Sequence, residues 1–112
     1  MTTVAKAIIL SKAAENAQTT QYTSSDVQTI IDKFVVNNTT GGNVTFAVNV
    51  VNSGGTAASS NLILSKTILA GQCYTCPELI GLVLEAGDFI STLAGAATSL
   101  TIRASGRQIS VD

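Results

Sequence analysis

Histidine and tryptophan are absent from this chain. Without histidine it lacks the usual general base, the central member of a serine triad and the commonest metal ligand. No catalytic, cofactor-binding or metal-binding residue can be assigned, and the chain is not expected to be an enzyme. Charge is scarce as well. Only 12% of residues are charged and the net charge is -1, against about 25% charged residues in an average soluble domain. The six cations, Lys6, Lys12, Lys33, Lys66, Arg103 and Arg107, are scattered and form no run. A nucleic-acid partner, which needs a concentrated positive field, is therefore not expected. No apolar run approaches the roughly 20 residues that span a bilayer, so no membrane span is expected. The apolar stretch at residues 7–10 is short, and Lys12 and Glu15 follow it. It does not read as a secretory leader, and a cytoplasmic origin is expected.

Cysteine and carboxylate are present in small number, and each invites a chemical reading. Cys73-Tyr74-Thr75-Cys76 has the spacing of a redox motif. That motif belongs at a helix N-terminus in a βαβ unit, and nothing of that kind surrounds it here. Zinc would need two further ligands. Both thiols are expected to be structural and buried, with a disulfide between them requiring a sharp backbone turn. Glu85 and Asp88 flank a Glu-Ala-Gly-Asp turn. An acid pair for glycoside or calcium chemistry is conceivable, but the stronger reading is a turn whose acid caps backbone amides. Gly41-Gly42 and Gly54-Gly55 lack the lysine and helix of a phosphate loop and read as turns.

What is abundant is neutral. Of the 112 residues 46% are hydrophobic, enough for one core, and a single domain over residues 1–112 is expected. Glycines punctuate short stretches rich in Val, Ile, Thr and Leu, which is the pattern of an all-β sandwich or barrel. Residues 44–50 alternate strictly: Val44, Phe46, Val48 and Val50 face one way, Thr45, Ala47 and Asn49 the other. Residues 100–104 repeat the pattern with Leu100 and Ile102 inward. Residues 30–36 give a third strand, with Ile30, Phe34 and Val36 on a face shared with Asp32. Phe34, Phe46, Val48, Leu100 and Ile102 are the expected core. Further strands are expected at residues 5–11, 62–69, 80–84, 88–93 and 107–111. Residues 38–43 read as a hairpin loop and residues 52–60 as a longer loop. Residues 13–25, poor in apolar side chains, read as an extended arm or long loop. Pro77 is expected to open a helical turn.

Several stretches carry a resemblance: Ile30-Ile31-Asp32-Lys33-Phe34, Asn38-Thr39-Thr40-Gly41, the block from Gly71 to Leu79, Leu84-Glu85-Ala86-Gly87-Asp88-Phe89-Ile90-Ser91-Thr92, and Ser99-Leu100-Thr101-Ile102-Arg103-Ala104-Ser105-Gly106. Together they resemble small virion proteins of tailed phages, and most nearly the capsid decoration (cement) proteins of short-tailed phages. The resemblance implies a jelly-roll sandwich of about eight short strands and a homo-oligomer. It also implies a structural role on the virion capsid surface, with the major capsid protein as partner. A phage neck, tail or head-fibre component is the alternative it leaves open, and a carbohydrate-binding jelly roll a further one. The family has no catalytic motif to carry over, and the contact residues are not legible.

Overall fold

A computed structural model describes residues 2–110. Nine antiparallel strands run in chain order as β1 (Thr2–Ala13), β2 (Thr19–Thr23), β3 (Gln28–Asn38), β4 (Val44–Val51), β5 (Leu62–Ile68), β6 (Cys73–Tyr74), β7 (Val83–Leu84), β8 (Phe89–Ala94) and β9 (Leu100–Ser110). One sheet has the order β1-β9-β3-β6, with β7 also paired to β3; the other has the order β2-β8-β4-β5. The pairs nest from the ends of the chain inward: β1 with β9, β2 with β8, β3 with β6 and β7, β4 with β5. A long hairpin rolled over itself gives this order, and it is the jelly-roll arrangement of a β-sandwich. Strands β6 and β7 occupy successive stretches of one edge position, so the roll has eight positions filled by nine strands.

The core lies between the sheets. Phe34, Val36, Leu100 and Ile102 come from one sheet, and Phe46, Val48 and Ile90 from the other; all are essentially buried. Phe34 and Phe46 meet at 6.3 Å between ring centroids, tilted by 46°, within the favourable range for aromatic pairs. All five residues expected in the core are there.

Four local readings need correction. In β3 the buried residue is Ile31, not Ile30. A bulge between Ile31 and Lys33 against β9 inserts an extra residue and flips the faces beyond it. Asp32 therefore points outward, where Arg107 binds it. Residues 38–43 are no hairpin, because β3 and β4 lie in different sheets. The loop is an arch held by the buried Asn38 side chain. Its Nδ2 donates to the carbonyl oxygens of Gly42 (2.8 Å) and Ile68 (3.0 Å), and its Oδ1 accepts from the Thr40 amide (2.9 Å). Residues 13–25 are no free arm. Within them β2 pairs with β8 at the sheet edge; an edge strand with one wet face needs few apolar side chains. Finally, residues 100–104 and 107–110 are one strand, β9, running through Gly106, while residues 80–84 hold only the short β7 after a 3-10 turn over Pro77–Leu79. Val111, expected in the last strand, lies outside the described residues.

Candidate docking surfaces

The outer face of the β2-β8-β4-β5 sheet carries a broad depression. Register places Ala47 opposite Leu93 and Asn49 opposite Ser91. Because Ala47 is small, the sheet is low there. Depressions of about 420 Å³ and about 300 Å³ share Ala47 and Leu93 and so form one trough. Asn16 and Gln18 wall one part, and the Ala57–Ser59 stretch of the β4–β5 connection walls another.

Hydrogen bonds tie these walls to the floor. Gln18 Nε2 donates to Ser91 Oγ (2.8 Å) and to Asn49 Oδ1 (3.4 Å). Asn49 Nδ2 donates to Asn61 Oδ1 (2.7 Å) and to the Ala58 carbonyl (2.9 Å). Asn49 is thus buried yet satisfied, and the trough is held in shape before anything binds it. Among the described residues no charged side chain lines it. It offers aliphatic floor, amides and hydroxyls, which suit recognition by shape and short-range hydrogen bonds. The sequence could not show this, because Asn49 reads as a solvent-facing residue of an alternating strand.

Beside the trough, the outer edge of β5 is open. Leu62 and Ile63 on the strand and Leu69 just past its end are all 40% exposed or more, and Lys66 is the strand's one charge. The β1, β6 and β7 edges are better protected against pairing. Strand β1 carries Lys6 and Lys12 and two register shifts, and β6 and β7 have two residues each, whereas β2 and β5 each have a single shift. Charges, bulges and short strands are the usual ways of blunting an edge.

The two acids singled out in the sequence do not form a site. Asp88 accepts from the backbone amides of Ser53 (3.0 Å) and Glu85 (2.8 Å). Glu85 instead accepts from Gln28 Nε2 at 2.7 Å. Asp88 thus caps amides, as the turn reading expected.

The cysteines part company. Cys76 is buried and Cys73 is exposed on β6, so only one of the two expected buried thiols is buried. Cys76 takes a left-handed backbone (φ 48°) just before Pro77. That turn aims its side chain into the core instead of presenting it at a helix end. Burial, followed by the nearby Glu78 carboxylate, pushes its thiol up to about 12. Between the two cysteines, the Tyr74 hydroxyl donates to both carboxylate oxygens of Glu78 (2.7 and 2.8 Å). That bond raises the phenol to about 12 and lowers Glu78. Lys66 Nζ of β5 sits 4.8 Å from the Tyr74 ring centroid, bridging the two sheets with a cation–π contact. A thiol reagent at mildly alkaline pH should therefore modify Cys73 rapidly and reach Cys76 only on unfolding. Two equally fast thiols in the native protein would contradict this placement.

The fold defines the class: a jelly-roll β-sandwich whose exposed features are a neutral trough and an open strand edge. No protein-family model and no curated protein matches the chain. Among solved structures it is similar to a protein of Bacillus endospore appendages, which are described as forming a novel family of disulfide-linked pili. The TM-score is 0.56 at 17% identity, over 99% of this chain and 90% of that one. The likeness is one of fold.

Proposed function

We propose that this protein is a structural subunit that works by packing against other protein chains, and that its place is the outer surface of a tailed-phage capsid as a decoration protein. The observation that carries the reading is the preformed, uncharged trough lying beside the open, apolar edge of β5. Such a surface gains affinity from shape, apolar contact and main-chain pairing, without a cofactor or reacting group. The resemblance of its sequence stretches to phage virion proteins points to the shell and its major capsid protein as the partner. On this reading the protein binds the assembled shell and not its separated parts, which stabilises the shell by mass action. Oligomers of the protein would multiply a modest single-site energy through avidity.

A second reading is assembly with further copies of itself into a fibre. The likeness in fold to an endospore appendage protein favours it; a phage neck or tail component, forming a ring of fixed copy number, or a head-fibre component is the related alternative.

The test mixes purified protein with capsids that lack it. Copies bound per particle and the temperature of shell disruption are then measured. Decoration predicts hundreds of copies and a higher disruption temperature. Binding confined to a single vertex, or fibres formed by the protein alone, would replace decoration with the second reading. The double substitution Leu62→Asp with Ile63→Asp, on exposed positions of β5, should abolish shell binding while the sandwich still folds.

A further inference from the structure

Three of the six cations scattered through the sequence come together on two neighbouring strands. Strands β3 and β9 together carry Lys33, Arg103 and Arg107, and their one acid is Asp32. That acid is already taken. Arg107 grips it with Nε at 3.0 Å from Oδ2 and Nη2 at 2.9 Å from Oδ1. Register pairs Lys33 with Ser105 and Val35 with Arg103. Lys33 and Arg103 are thus diagonal neighbours on the outer face of the β1-β9-β3 sheet, with backbones roughly 7–8 Å apart.

Neither has a charged partner among the described residues. The two ion pairs there are Lys12 with Glu15 and Arg107 with Asp32. Arg103 Nη1 donates only to the Ser11 hydroxyl, at 3.0 Å. Between the two cations lies a depression of about 140 Å³, lined by Lys33, Val35, Arg103, Ala104 and Ser105. Two like charges at diagonal spacing repel each other, and an anion seated between them would turn that repulsion into attraction.

We propose that this face is a second docking surface, and that its occupant is an acidic segment of a partner protein with one carboxylate placed between Lys33 and Arg103. The guanidinium would donate to the carboxylate through its free N–H groups, and the ammonium would close the other side. Protein carboxylate fits better than nucleic acid. The depression has the liquid volume of only about five waters, no aromatic side chain lies on either strand beyond the buried Phe34, and two unpaired cations are too few for a phosphate backbone. The surface is separate from the trough and does not depend on the shell reading.

The test needs neither shell nor second copy, so its outcome is independent of the shell experiment. The ¹⁵N-labelled protein is titrated with a glutamate-rich hexapeptide, its glutamine counterpart, inorganic phosphate and a single-stranded oligonucleotide. Amide shifts are followed residue by residue. The glutamate peptide should give saturable shifts centred on Lys33, Val35, Arg103 and Ser105. It should bind about tenfold more tightly than the glutamine peptide, as two exposed charge contacts allow, and more weakly as salt rises. Lys33→Gln with Arg103→Gln should remove the preference while leaving the spectrum of a folded protein. Equal affinity for both peptides, shifts centred elsewhere, or tighter binding of phosphate or oligonucleotide would each overturn the proposal. Should the variant not fold, the peptide comparison on the unaltered protein decides alone.

Discussion

Truncating Phe46 to alanine should lower the unfolding free energy by about 3–5 kcal/mol. Phe46 is 1% exposed and packs on Phe34 across the two sheets. Its removal loses the transfer energy of the ring and leaves a cavity. The cavity cannot collapse cheaply, because β4 is paired on both sides, with β5 and with β8. Urea unfolding followed by far-ultraviolet circular dichroism measures the loss. A change below about 1 kcal/mol would show that the site relaxes freely. Since a domain of this size is stable by only about 5–15 kcal/mol, the substitution should approach the limit of what the fold tolerates.

Gly106→Val should be comparably damaging for the opposite reason. A Cβ at this position would run into the Ile30 carbonyl oxygen on the neighbouring strand. The close approach comes from the bulge in β3, which crowds the β3 backbone against β9 just where Ile31 pairs with Gly106. The obstacle is backbone, not a flexible side-chain tip, so the strands must separate or the bulge must shift. An expected cost of about 3 kcal/mol lies at the upper end of overpacking. Gly41→Ala makes the control, because a Cβ there meets nothing within 4 Å. Equal stability of the two variants would mean that β9 can move without loss. This glycine spaces two strands, and it lies inside β9, which continues straight through it.

Both expectations turn on how much of the molecule its residues announce. The faces of β4 were legible because its alternation is unbroken over residues 44–50, and Phe46 and Val48 had no other place to go. Leu100 and Ile102 were legible for the same reason. In β3 the alternation points to Ile30 where Ile31 is the buried residue, because a bulge leaves no mark on a period-two pattern. The arch at residues 38–43 reads as a hairpin in sequence because Asn, Thr and Gly suit both. Only the destination of the next strand tells them apart. Strand β2 leaves little trace in the sequence because an edge strand buries little and is held by main-chain hydrogen bonds to β8, which composition does not reveal.

By itself, then, the sequence determined the all-β class, the single core and most of its members. It also determined the lack of any histidine-based chemistry, since none of these needs a distant partner. The tertiary structure alone decided which sheet each strand joins. It decided too that Cys76 turns inward while Cys73 does not, and that Gln18, Asn49 and Ser91, up to 73 positions apart, are hydrogen-bonded together at one trough. It likewise brought Lys33 and Arg103 together from separate strands, giving a nearly neutral chain one locally basic face. The physical reason is the same in each case. Alternation along a strand is a local property set by the pleat, whereas strand pairing and register are long-range choices made by the whole roll.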